Sequence, residues 1–151
     1  MKTAVLDSPI GRLWLAAEKG ALVRLDFSKI PEKSDGDEPV LEEAKRQLAE
    51  YFSGKRKTFT VPLVCHGTPF QEAVWTELLK IPYGETRTYG EVAAAIGEPK
   101  ASRAVGMACH RNPIGILIPC HRVIGFGGKL TGFGGGLDKK QALLEREKIG
   151  R

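Results

Sequence analysis

Three consecutive side chains, Cys120, His121 and Arg122, set a soft nucleophile beside a base and a permanent cation, within the string Ile118-Pro119-Cys120-His121-Arg122-Val123. The chemistry open to such a string is attack by sulfur. A thiol attacks only as the thiolate, and with a pKa of ~8.5 an unassisted cysteine is about 3% ionised at neutral pH. His121 can accept the thiol proton, and a carboxylate elsewhere can orient the imidazole, as in other Cys-His-acid sites. The plain alternative is an inert core cysteine. The Pro-Cys-His-Arg order after an apolar run argues against it.

The three cysteines, Cys65, Cys109 and Cys120, are each followed by one of the three histidines, His66, His110 and His121. An odd count without C-x-x-C favours reduced thiols over a disulfide framework. Adjacent Cys-His pairs lack zinc-ligand spacing and no soft ligand precedes Cys65, so no metal is expected.

The elements around Cys120 are legible from their caps. Ile114–Ile118 is an apolar run, read as a buried strand that delivers Pro119-Cys120 to a rigid turn. Upstream, Thr68-Pro69-Phe70-Gln71 is a capping box with proline at the first helical position, opening a helix that stops at Pro82-Tyr83-Gly84. Thr88-Tyr89-Gly90-Glu91 is a second box, opening a short helix through Ile96 that ends at Gly97. A third helix runs from Ala101 to Arg111 and closes at Asn112-Pro113. Two short helices joined by a tight Gly-containing turn fit a helix-turn-helix, or a plain αα-hairpin. On the third helix Ala101, Ser102, Ala104 and Gly106 are small around Arg103. That pattern suits close approach to a surface with one probing cation, or tight helix–helix packing around a solvated arginine.

Gly125–Gly136 holds seven glycines but fits neither a P-loop nor a G-x-G-x-x-G fingerprint, so it reads as a hairpin or as backbone lining a pocket. A closing helix over Leu137–Lys148 sets Glu147 near its inner face with Leu143 and Leu144.

The first third is β-rich, with strands over Thr3–Asp7, Arg12–Ala17, Ala21–Phe27 and Thr58–Leu63 and a helix near 40–53. The fold expected is α+β: a small β-rich α/β domain over residues 1–65, then a mainly helical domain over 66–151 with the helix-turn-helix. No membrane-length apolar run or signal-peptide core appears, which predicts a cytoplasmic protein. Of the net charge of +5, residues 1–65 contribute +1 and residues 66–151 contribute +4. The excess gathers at Lys100, Arg103, Arg111 and Arg122; it is a solvated surface or a polyanion site.

From Thr88-Tyr89 through Arg103-Ala104-Val105-Gly106 and Asn112-Pro113 to Pro119-Cys120-His121-Arg122-Val123, ending at Leu143-Leu144-x-x-Glu147, the sequence resembles the O6-alkylguanine-DNA alkyltransferases. The resemblance implies direct, single-turnover repair of O6-alkylguanine, with the alkyl group ending on Cys120, and leaves activity on O4-alkylthymine open. His121 would take the thiol proton through a water, Glu147 would orient His121, and Tyr89 would donate to the guanine ring. Asn112 would tie the recognition helix to the active-site turn. Arg103 would fill the gap left by a flipped nucleotide, from a helix lying in the minor groove. Ala101, Ser102, Ala104, Gly106, Lys100, Arg111 and Arg122 would meet DNA, and Val123, Phe133, Gly134 and Gly135 would wall the base pocket. The partner would be double-stranded DNA carrying alkylated guanine, the protein a monomer, with no cofactor and no membrane. Gly134 stands where human-type members carry serine, Gly115 replaces a proline, and the amino-terminal zinc ligands of some relatives are absent. Lesion-binding relatives lack the cysteine. A regulator without chemistry leaves Cys-His-Arg unexplained, and a cysteine hydrolase needs an oxyanion hole and turnover.

Overall fold

The turn chemistry of the first thirty residues closes two hairpins. At Lys19-Gly20 both φ values are positive (51° and 79°), the backbone that a two-residue hairpin needs to match strand twist. In the computed structural model, which describes residues 1–30, 38–133 and 135–149, β1 (Lys2–Ser8), β2 (Gly11–Glu18) and β3 (Ala21–Asp26) form one antiparallel sheet in that order. Val5 lies opposite Trp14 and Leu15 opposite Leu25. Helix α1 (Pro39–Phe52) opens on proline and buries Leu41, Ala44, Leu48 and Tyr51, which join Leu13, Leu15 and Leu22 of the sheet as buried residues. This is the compact unit Met1–Cys65.

Thr58–Leu63 is not a strand. It meets β3 through a single parallel bridge, Leu22 to Leu63, framed by Leu22 N–H to the Pro62 carbonyl (2.9 Å) and Val64 N–H to the Leu22 carbonyl (3.0 Å). Pro62 has no N–H to extend a ladder. The Thr60 N–H instead donates to the buried Gln47 side chain at 2.9 Å, so a helix residue serves where a strand would.

The second unit, His66–Arg151, contains α2 (Pro69–Leu78), β4 (Arg87–Thr88), α3 (Tyr89–Ala95), α4 (Ser102–His110), β5 (Val123–Ile124) and α5 (Leu137–Ile149). Both capping boxes are formed. Gln71 N–H donates to Thr68 Oγ1 and Thr68 N–H to Gln71 Oε1; Glu91 and Thr88 repeat the exchange at 3.0 and 2.9 Å. Gly97, at φ 82°, turns the chain out of α3. Helices α2, α3 and α4 pack on one another around Val74, Leu78, Val92, Ala93, Val105 and Ala108. The Trp75 indole N–H donates to the Ala108 carbonyl at 2.8 Å and fixes α2 to α4. A short parallel pair sets Arg87 beside Val123 and Thr88 beside Ile124, which brings Tyr89 to the segment that follows Cys120–Arg122.

The run Ile114–Ile118 is buried but is a turn, not a strand. Leu117 N–H bonds the Gly115 carbonyl, Ile118 N–H bonds the Ile114 carbonyl, and Ile116 sits at φ 70°. These local bonds, with the single bridge at Ile114, satisfy part of its polar backbone and let an apolar segment be buried as a turn. A β-branched residue at positive φ is strained, at a cost of ~1–3 kcal/mol, and persists where packing over-determines it.

Candidate active site

Asn112, at the end of α4, holds that turn from both sides. Its amide Nδ2 donates to the Ile118 carbonyl at 2.8 Å, and its Oδ1 accepts from Ile114 N–H at 3.0 Å. Pro119 then leads into one turn of 3-10 helix, Cys120–Arg122, with all three side chains buried. Burial pushes the Cys120 thiol up; the Asn112 side chain and the Lys140 ammonium act in the opposite sense by favouring the anion. The resting form is therefore the thiol, which needs a base.

The base lies next to it in sequence and is held by α5. His121 Nε2 lies 2.7 Å from Glu147 Oε2, both side chains being almost wholly buried. Burial alone would raise the Glu147 carboxyl, but hydrogen bonds from His121 and Arg122 outweigh it and hold the group well below the usual carboxylate range. An ionised carboxylate only accepts, so the His121 proton sits on Nε2. Burial also pushes His121 below its ordinary value, against the pull of Glu147, so the ring is neutral at pH 7. Its Nδ1 then bears the lone pair, and this atom is buried with no hydrogen-bond partner among the described residues. A neutral imidazole, fixed at one nitrogen and open at the other, is built to accept a proton.

Arg122 belongs to this core and not to a surface. Its Nε and Nη2 donate to the two Glu147 oxygens at 2.7 and 3.0 Å, and its Nη1 donates to the Ile81 carbonyl at 2.8 Å. The guanidinium also lies 5.8 Å from the Tyr83 ring centroid. The expected phosphate contact at Arg122 is thus corrected: every edge of its fork is spent on buried acceptors, and only 7% of the residue is exposed.

Lys140 was not singled out by the sequence, yet it is fully buried in α5. Its ammonium donates to the Thr131 carbonyl at 2.8 Å and to the Tyr89 hydroxyl at 3.4 Å. Tyr89 in turn donates to the Thr131 carbonyl at 3.3 Å. Burial pushes Lys140 down, while the thiols of Cys120 and Cys109 favour its charged form. Cys109 is the inert member of the pair, pushed up to about 12 by burial and then by Cys120. Only the run of apolar neighbours on α5 marks Lys140 in sequence, and a lysine in an amphipathic helix reads as solvated.

An open cleft of about 880 Å³ borders this cluster at Tyr89 and Thr131, between α4 and the 126–132 segment; Cys120 and His121 are not among its lining residues. Tyr89, Ser102, Arg103, Gly106, Thr131 and Gly132 are among its walls. Ser102, Arg103 and Ala104 are exposed, whereas Val105, Ala108 and Cys109 face the core. A Cβ added at Gly106 would meet the Tyr89 ring at an ordinary 3.8 Å, so internal packing does not demand glycine there. The small Ser102 and Ala104 lie on the open face of α4, whereas the small Ala108 is buried in its packing against α2. Lys100 and Arg111 are exposed at the ends of α4, and Ala101 is half-buried.

Of the residues expected to wall the base pocket, Val123, Phe133 and Gly135 are not among those lining this cleft. Val123 is fully buried in β5 and Phe133 is half-buried; the loop residues that line the cleft are Phe126, Thr131 and Gly132. Gly134 lies outside the described residues. Among the described residues no cluster of His, Cys, Asp or Glu is placed to hold a metal ion, and no helix is long and apolar enough to cross a membrane.

Residues 69–149 match the family described as 6-O-methylguanine DNA methyltransferase, DNA binding domain, and residues 1–64 match its ribonuclease-like domain. The chain belongs to the 6-O-methylguanine DNA methyltransferase family. The methylated-DNA–protein-cysteine methyltransferase of Methanosarcina acetivorans is 52% identical, the match spanning 97% of this chain and 98% of that one. A constitutive methylated-DNA–protein-cysteine methyltransferase of Bacillus subtilis is 47% identical over 95% and 93%. Among solved structures, Mycobacterium tuberculosis OGT in complex with DNA superposes with a TM-score of 0.93 at 49% identity, covering 99% of this chain and 94% of that one. A helical part and a small sheet part are both present in this methyltransferase-family chain, which makes the fold α+β.

Proposed function

We propose that this methyltransferase repairs DNA by moving an alkyl group from O6 of guanine to Cys120 Sγ, once per molecule. The observation that supports it most is the relay in which Glu147 fixes the Nε2 proton of a neutral, buried His121 and leaves Nδ1 basic. The Cys120 proton passes to His121 Nδ1 through a water, and Glu147 stabilises the imidazolium. Thiolate sulfur attacks the alkyl carbon; the C–S bond forms, the C–O6 bond breaks, and its electron pair stays on the guanine. Tyr89, held by Thr131 and Lys140, donates to the ring as that charge develops. The product is a thioether with no good leaving group, so the protein is spent.

Cys120 is only 7% exposed and cannot meet a carbon inside a base stack. The lesion is therefore extruded, at a cost of a few kcal/mol, into the cleft beside Tyr89. Arg103, exposed on α4 in that cleft, fills the vacated position from the minor groove. Lys100 and Arg111 contact phosphate, which makes binding salt-dependent and weakly sequence-dependent. The chain acts as a monomer on double-stranded DNA. Intact-mass analysis after incubation with O6-methylguanine duplex tests the assignment. One methyl group on the wild type and none on Cys120→Ala is expected, with lesion DNA binding retained by the variant. Stoichiometric methylation of Cys120→Ala, for instance at Cys109, would falsify it.

A further inference from the structure

Phe126 is 97% exposed, on a chain whose other phenylalanines and tryptophans are not among its exposed large hydrophobic residues. The backbone that carries it is a closed turn. Gly125 N–H bonds the Lys129 carbonyl, and Gly128 N–H bonds the Gly125 carbonyl at 3.1 Å. Gly127 and Gly128 both take left-handed backbone, at φ 75° and 86°. A Cβ at Gly125 would come within 3.1 Å of the Lys129 carbonyl, so this tight closure also excludes side chains. The glycines thus build a turn that leaves one aromatic ring in water, where burial would stabilise it.

The direction of that display is set by the cleft. Phe126 lines it from the loop side, while Arg103, Met107 and His110 line it from α4. Met107 is itself 56% exposed, and no carboxylate is among the lining residues. A cationic, acid-free cleft with an aromatic ring at its lip matches a partner that is anionic outside and flat and apolar within, which is a nucleic-acid base. We infer that Phe126 is a stacking platform for the base left unpaired when the lesion is extruded, acting across the cleft from Arg103. Apolar side chains at such a position work as wedges that make unstacking less costly. The inference rests on the DNA-repair reading above and adds a contact to it.

The test uses the full chain in a Cys120→Ala background, so that binding is measured without transfer. Affinity is compared for Phe126→Ala, Phe126→Trp and the parent on two duplexes: O6-methylguanine opposite cytosine, and O6-methylguanine opposite an abasic site. On the first duplex Phe126→Ala should bind about 5- to 150-fold more weakly, the range of one lost base–aromatic stack. Phe126→Trp should stay near the parent. On the abasic duplex the parent and Phe126→Ala should bind alike, because the stacking base is gone. Melting temperature should be unchanged in both variants, since the side chain supports no core. Equal affinity of Phe126→Ala and the parent on the first duplex overturns the inference, as does an equal loss on both duplexes. A parent that fails to bind either duplex instead overturns the DNA-repair reading itself.

Discussion

Replacing Glu147 by glutamine removes one charge at nearly constant shape from the centre of the buried cluster. The carboxylate now accepts from His121 Nε2 at 2.7 Å and from Arg122 Nε and Nη2 at 2.7 and 3.0 Å. An amide has one oxygen, so whichever way it turns, its NH2 faces either the His121 N–H or the Arg122 fork. The guanidinium, 7% exposed, is left without its counter-charge. Breaking a buried pair in this way costs ~3–5 kcal/mol, or about 6–20 °C of melting temperature in a chain of this length. The sign of the pH dependence follows from the folded carboxyl lying far below its ordinary 4.5. Stability from such a group is complete above the unfolded value and is lost as pH falls through the folded one. The gap between wild type and Glu147→Gln should therefore be full at pH 7 and narrow below about pH 4.5. Glu147 also raises the basicity of His121, so the variant should transfer methyl roughly 10²–10⁴-fold more slowly and reach its plateau at higher pH. Calorimetry from pH 3 to 8 and single-turnover transfer across the same range measure both. A melting temperature within about 2 °C of wild type at pH 7, with an unshifted rate profile, would refute the buried-relay reasoning.

Two further outcomes are expected. Lys140→Met should keep the fold, because the methionine fills the buried stem, but should slow transfer roughly 10- to 150-fold, as for loss of a charged hydrogen bond. Its rate profile should move alkaline, since Lys140 favours the Cys120 anion; stopped single-turnover assays against pH would expose an unmoved profile as a contradiction. The spent protein should melt lower than the unused one, by about 2–12 °C, because alkylation overfills a site packed against the Asn112-held turn at ~1–3 kcal/mol. Scanning fluorimetry on unused and methylated samples checks this, and equal melting temperatures would mean that the turn accommodates its product.

Much of the site was legible because it is written in local chemistry. Thr68 and Gln71, and Thr88 and Glu91, satisfy each other's backbone within one helical turn, so their spacing alone places α2 and α3. The faces of α4 were not legible in the same way: its small residues around Arg103 suited close approach to a surface or helix–helix packing equally, and only folding turned Val105, Ala108 and Cys109 inward and Ser102 and Arg103 outward. Glu147 was placed on the inner face of α5 by its spacing from Leu143, and it is buried there. The Thr58–Leu63 run misled because strand propensity is blind to Pro62 at the ladder and to a distant Gln47 that takes the Thr60 amide. Ile114–Ile118 misled likewise: apolar runs of that length read as strands, and it takes bonds within the run together with the Asn112 side chain to hold it as a buried turn.

What the sequence determined by itself is the set of reactive groups and the helices that bear them, since capping, amphipathicity and adjacency act over a few residues. The tertiary structure decided the partners of the charges. In sequence Arg122 and Lys140 are two more cations on a basic chain. Folding closes a span of 25 residues to bring Arg122 onto Glu147 and one of 51 to bring Lys140 onto Tyr89. A cation's role depends on its counter-charge and its solvent, and no local pattern specifies either. Burial made one of them the lock on the Glu147 carboxylate and the other the support of the Tyr89 hydroxyl, while Arg103, with the same charge, was left in the open cleft.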